Sequence, residues 1–114
     1  MKKIFILFLL CVTSSYAQSE RQTPEQQFQY DRENNKIQLY FIGGIVSRVT
    51  DKDGEFVSKY KVGYHDFGCT PPPYLSEYRD YNLLVLNFLK EKHGNEWEND
   101  IRKDILGWDK WKSK

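Results

Sequence analysis

The chain has 114 residues, with 17 basic side chains against 16 acidic ones, a formal net charge of +1 and 16% aromatic residues. That length holds one small domain and leaves no room for a second. The near balance of charge lacks the electrostatic footprint of a nucleic-acid binder, and two cysteines are too few for a disulfide-stapled scaffold.

The N-terminus reads MKKIFILFLLCVTSSYAQSE. Lys2 and Lys3 precede an apolar run from Ile4 to Val12, and the small residues Ser15 and Ala17 flank Tyr16. These are the three regions of a signal peptide over residues 1–17, with cleavage expected after Ala17 and a periplasmic or secreted address. The apolar run is shorter than the roughly 20 residues of a permanent span, so no stable membrane anchor is expected. A lipid anchor on Cys11 is the rival reading, but Leu10 stands where such a signal wants a small residue. Removing 17 of the 114 residues leaves 97; Lys2 and Lys3 leave with them, so 15 basic residues face 16 acidic ones and the formal charge becomes −1. Cys69 is then the lone cysteine. It closes no internal disulfide, so stability has to come from the core, and in an oxidising compartment it permits a covalent homodimer.

Residues 18–35, QSERQTPEQQFQYDRENN, are rich in glutamine and charge, with only Phe28 and Tyr30 to bury. They read as a flexible polar lead before a single small α+β domain over residues 36–114. Ile37 to Ile42 is a run of apolar, aromatic and branched residues that reads as a strand covered on both faces. Beyond Gly43-Gly44 two readings stay open. Two hairpin turns, the second at residues 51–54, make an antiparallel β-meander. Alternatively Thr50 caps a helix with Asp51 and Asp53 in its first turn and Phe56 and Tyr60 facing the core, against a cost of about 1 kcal/mol for Gly54.

After Pro71-Pro72-Pro73 the pattern sharpens. Ser76 is a suitable cap, and Tyr78, Tyr81, Val85, Phe88 and Leu89 recur at helical spacing until Gly94, with His93 in the last turn. Asn95 followed by Glu98 resembles a capping box for a second helix, with Trp97, Ile101 and Ile105 as its stripe before Gly107. The C-terminal Lys110, Lys112 and Lys114, interleaved with Trp108 and Trp111 and interrupted by Asp104 and Asp109, read as a solvated tail whose tryptophans pack back on the domain.

The stretch from Thr50 to Thr70, TDKDGEFVSKYKVGYHDFGCT, resembles the FEKKY-domain family of small exported proteins. The G-G-I-V-S of residues 43–47, the D-F-G-C-x-x-P of residues 66–72 and the closing I-R-K-D-I-L-G-W of residues 101–108 belong to the same resemblance. Phe56, Lys59 and Tyr60 match the motif that names the family, while Val57 and Ser58 stand where it has Glu and Lys. The resemblance implies no activity. It implies that F-x-x-K-Y closes a helix, which selects a helix over 50–60 between strands Ile37 to Ile42 and Val62 to Phe67. The resulting expectation is a βαβ unit followed by a helical hairpin, the meander with two C-terminal helices being the alternative.

Chemistry concentrates in H65-D-F-G-C69. The triplet Asp66-Phe67-Gly68 is no kinase signature in a chain without a glycine-rich loop or a catalytic-loop motif. His65 and Cys69 are too few for a zinc site, which takes three or four ligands, and no metal or cofactor is expected. Cys69 as nucleophile, with His65 or His93 as base and Asp66 or Asp80 as orienter, supplies the parts of a thiol enzyme without a family-specific signature. Against it stands a corner, in which Cys69 plugs the sheet end as a small hydrophobe and His65 and Asp66 form an exposed polar pair. Gly43-Gly44 with Ser47 reads as a backbone bend and not as a phosphate loop. Tyr64, Tyr74 and Tyr78 are the candidate binding residues; Tyr74, Tyr78 and Tyr81 with Trp108 and Trp111 form either a sugar platform or the core and its rim. The leading expectation is a non-enzymatic binding module for an unknown protein or small ligand, and the alternative is a thiol-dependent enzyme or redox protein on Cys69.

Overall fold

A computed structural model of the chain describes residues 21–45 and 49–113. The expected signal peptide with its cleavage site, Cys11, Ser47 and Lys114 lie outside the described residues. Within them the chain runs α1 (Pro24–Glu33), β1 (Gln38–Phe41), α2 (Asp51–Tyr60), β2 (Gly63–Asp66), α3 (Leu75–His93), a 3-10 turn (Glu96–Asn99) and α4 (Trp108–Lys112). The class is α+β, as expected, with a βαβ unit at its centre.

The βαβ unit follows from local chemistry. The Thr50 hydroxyl accepts from the Asp53 N–H while the Asp53 carboxylate accepts from the Thr50 N–H, which satisfies two free donors at the start of α2. Phe56 and Tyr60 are buried on its inner face, and Gly54 sits in open space where a Cβ meets nothing. The chain leaves α2 through Lys61, whose φ of 61° is left-handed, and enters β2. The strands are parallel, in register from Gln38 opposite Gly63 to Phe41 opposite Asp66. Leu39 and Phe41 point into the core on one face, and Tyr40 is half-buried on the other.

The lead is not flexible throughout. Thr23, Pro24 and Gln26 make a second capping box with proline in the first turn, and residues 24–33 form α1. This helix docks on α3: Phe28 lies edge-on to Tyr81 and Phe88 at 5.9 and 5.8 Å. Asp31, 6% exposed, accepts from the Tyr81 hydroxyl at 2.6 Å. Long-range burial of one ring and one carboxylate is invisible to a composition argument, which is why the segment read as a lead.

Two further expectations are corrected. Helix α3 begins after Tyr74, in the left-handed region at φ 62°, without a side-chain cap, so Ser76 lies inside the first turn. The second arm of the expected helical hairpin is not one helix. Glu96–Asn99 is a single 3-10 turn, and Ile105 forms an antiparallel bridge with Phe41. Trp97, Ile101 and Ile105 are all buried, so the stripe was rightly read as core while its periodicity was not helical.

The outer edge of β1 is closed by a side chain. Asn82, fully buried on α3, accepts from the Tyr40 N–H at 2.9 Å and donates to the Tyr40 carbonyl at 2.8 Å and the Leu106 carbonyl at 2.9 Å. The Leu106 N–H also donates to the Tyr40 carbonyl. Across the other face, Arg102 donates to Asp53 at 2.9 Å and grips Asp104 with two further bonds, its guanidinium 4.0 Å from the Phe41 ring centroid.

Asn82→Leu puts a larger, apolar side chain in the place of the amide and strands the Tyr40 N–H and the Leu106 carbonyl, while the Tyr40 carbonyl keeps the Leu106 N–H. Leaving buried backbone groups unpaired costs about 1–3 kcal/mol each, so urea denaturation should report a loss of about 3 kcal/mol. A loss below about 1 kcal/mol would mean that the β1 edge is held by packing alone.

Candidate functional site

The carboxyl ends of β1 and β2 meet where the sequence concentrates its chemistry. Gly43-Gly44 leaves β1 and Phe67-Gly68 leaves β2, and Asp66 ties the two loops together. Its Oδ1 accepts from the Gly43 N–H and the Gly68 N–H, both at 2.8 Å, and the Gly44 N–H donates to the Gly68 carbonyl. A Cβ on Gly43 would lie 2.5 Å from Asp66 Oδ2, so this close approach requires glycine. Gly44 and Gly68 take left-handed φ of 77° and 75°. Asp66 is thereby a tie between the two loops.

His65 is exposed, as expected, but its ring is part of an aromatic cluster. It lies 5.4 Å from Tyr40 and 4.9 Å from Phe67. Tyr40 stacks on Phe67 with an interplanar angle of 10° and a centroid distance of 5.5 Å. Tyr78 closes the cluster from α3, at 4.8 Å from Tyr40 and 4.9 Å from Phe67, and Tyr81 meets Tyr40 edge-on at 5.3 Å. Tyr40, Phe67 and Tyr78 are half-buried and Tyr81 is buried. Beside them a cleft of about 120 Å³ is lined by Tyr40, Tyr78, Tyr81, Gln27, Glu77 and the segment 21–24. Arg21 spans its rim: the guanidinium donates twice to Glu77, at 2.9 and 3.0 Å, and sits 3.5 Å over the Tyr74 ring.

The remaining sequence candidates separate. Cys69 is exposed and does not plug the sheet end; it touches Thr70 Oγ1 at 4.0 Å, and no hydrogen bond links it to His65 among the described residues. Tyr64 belongs to the core face. It stacks on Phe56 at 5.3 Å, and its hydroxyl accepts from the Arg102 N–H at 3.1 Å. Tyr78 is in the cluster, and Tyr74, 57% exposed, is covered by Arg21. Of the proposed sugar platform, Tyr81 and Trp108 are core, and Trp111 packs against Trp97 and Trp108. Tyr40 and Phe67 were missed as site residues. For Tyr40 the available signal was its alternation with inward-facing Leu39 and Phe41 along β1, which puts it on the opposite face.

Among the described residues no group of three or more His, Cys, Asp or Glu side chains could hold a metal, and no helix is long and apolar enough to cross a membrane. Comparison with known proteins gives no match to any family, to any curated protein or to any solved structure.

Burial, the negative charge of Asp31 and the neighbouring Tyr78 together push the Tyr40 hydroxyl up to about 12. Tyr81 is raised further, by burial and by its hydrogen bond to Asp31, and burial likewise raises Tyr64. An unfolded tyrosine ionises near pH 10, so the unfolded chain sheds these protons first. The stability they carry is complete below pH 10 and falls as pH rises through the window up to about 12. In an alkaline titration a late phase of phenolate absorbance should coincide with loss of far-UV ellipticity, and Tyr40→Phe should shrink it. Ionisation of every tyrosine before any loss of ellipticity would contradict the burial of these hydroxyls.

Proposed function

We propose that this chain is an exported, non-enzymatic binding domain of the FEKKY-like kind, and that its ligand site is the aromatic face at the carboxyl ends of the strands. The supporting observation is the Tyr40, His65, Phe67 and Tyr78 cluster, whose rings touch one another while keeping part of their surface open beside a polar-rimmed cleft. Rings held by their neighbours lose little freedom when a ligand stacks on them, which favours binding. The ligand that fits is a small molecule with a flat apolar face and hydroxyl groups at its edge, the chemistry of a pyranose ring. Its face stacks on the rings, and the Arg21, Gln27 and Glu77 side chains at the cleft offer planar donors and acceptors to its hydroxyls.

Titration of cellotetraose followed by NMR should shift the Tyr40, His65, Phe67 and Tyr78 ring signals, and Phe67→Ala should weaken binding about tenfold, the equivalent of about 1.4 kcal/mol. An acyclic polyol should not bind. Shifts confined to other residues, or equal binding of the polyol, would remove the aromatic face as the site.

The exposure of Cys69 favours a second reading, a thiol-dependent activity or a disulfide-linked dimer. The binding reading expects Cys69→Ser to leave saccharide affinity unchanged, and the thiol reading expects loss of any turnover or of the dimer on non-reducing electrophoresis. Rapid labelling of Cys69 by a maleimide is expected under both, because the side chain is accessible; a thiol that resists labelling in the folded protein would sink the second reading.

A further inference from the structure

The opposite end of the sheet carries a second concave surface. Where β1 begins and α1, α2 and α3 end, a cleft of about 410 Å³ is lined by Arg32, Lys61, Lys92, Glu91, Phe88 and Tyr60, among others. That volume lies within the roughly 300–1,000 Å³ of small-molecule sites. Phe88 is half-buried, and two cations reach over its ring, the Arg32 guanidinium at 5.3 Å and the Lys92 ammonium at 5.5 Å from its centroid. Arg32, Lys61 and Lys92 are exposed, and among the described residues none of them is paired with a carboxylate. Set against three cations, Glu91 leaves two positive charges of the lining uncompensated.

A cation in the last turn complements a helix dipole, which accounts for one basic residue at each helix end. It does not account for three of them around one hollow with an aromatic wall. The helix ends themselves oppose an anion, but their carbonyls are partly taken. The Asp31 carbonyl accepts from the Asn34 and Lys36 N–H groups, the Val57 carbonyl from Lys61 and the Lys90 carbonyl from Gly94. The formal charges therefore set the sign of the field in the cleft.

We propose that this cleft binds a small organic anion, a phosphate or carboxylate carried on a flat apolar body. The anionic group is held by Arg32, Lys61 and Lys92, and the flat body lies against Phe88. The argument is independent of the saccharide site and stands or falls separately.

The test is an NMR titration of the intact chain with phenyl phosphate, benzoate, inorganic phosphate and benzyl alcohol. The aryl anions should shift the Phe88 signals and weaken with added salt, and benzyl alcohol should not bind. Inorganic phosphate should bind more weakly than phenyl phosphate. The tighter of phenyl phosphate and benzoate then identifies the anionic group. Arg32→Gln and Lys92→Gln should each lower affinity about fivefold or more. Lys110→Gln, the same loss of charge outside the cleft lining, should leave affinity unchanged, and all three exposed substitutions should keep the native far-UV spectrum. The proposal is overturned by absence of binding, by equal binding of benzyl alcohol, by inorganic phosphate binding as tightly as phenyl phosphate, or by a Lys110→Gln loss as large as the other two.

Discussion

The amide of Asn82 fixes more of this molecule than any other single group. A two-stranded parallel sheet has little cooperativity of its own, and the outer edge of β1 would expose the N–H and carbonyl of Tyr40 inside the protein. Asn82 presents one acceptor and one donor to that edge, as a neighbouring strand would, and spends its second donor on the Leu106 carbonyl. A single side chain thus registers α3 against β1 and pins the C-terminal segment beside both. Tyr78 lies one helical turn before Asn82, on the same side of α3. Once Asn82 holds the Tyr40 backbone, the Tyr78 ring is delivered onto the Tyr40 ring, where it is found at 4.8 Å. The geometry of the aromatic face is in this sense a consequence of one hydrogen-bonded amide.

A second tie works from the other side of the sheet. The Asp53 carboxylate closes the capping box of α2 and also receives Arg102, so the start of a helix formed by local sequence is fastened to a segment 49 residues away. Arg102 is partly buried between Asp53 and Asp104 over Phe41, where a charged hydrogen bond is worth more than on the open surface. Its backbone N–H meanwhile takes up the Tyr64 hydroxyl. Strand, helix and C-terminal segment are joined by polar contacts whose partners are distant in sequence, which suits a small domain without a disulfide among its described residues.

Much of what rests on local chemistry was legible in the sequence, although residues 50–60 read equally as helix or hairpin until the family resemblance selected the helix. Thr50 with Asp53, the inward pair Phe56 and Tyr60, the strands on either side and the stop at Gly94 depend on neighbours within a few residues. The helix from Pro24 to Glu33 carried an equally local signal in Thr23, Pro24 and Gln26, but its glutamine-rich composition masked it. What the sequence concealed depends on partners it does not bring together. Asn82 reads as a polar interruption in an apolar helix face until Tyr40 and Leu106 are placed beside it. The stripe Trp97, Ile101 and Ile105 has helical spacing, yet Ile105 is drawn to Phe41 as an extended residue, so burial was readable and conformation was not. The core role of Tyr64 and the surface role of Tyr40 were likewise decided by which face of the sheet each strand turns inward.

The same distinction governs the chemistry of the corner. An aspartate that accepts two backbone N–H groups from two loops has its Oδ1 committed to holding them, and a histidine whose ring packs against both Tyr40 and Phe67 is positioned by aromatic contact. No hydrogen bond links His65 to Cys69 among the described residues, so closeness in sequence does not by itself join a nucleophile to a base. The corner leaves the His65 ring, the Cys69 side chain and part of the Tyr40, Phe67 and Tyr78 rings open to solvent. Polar side chains border that ring surface, with Arg21, Gln27 and Glu77 lining the adjoining cleft.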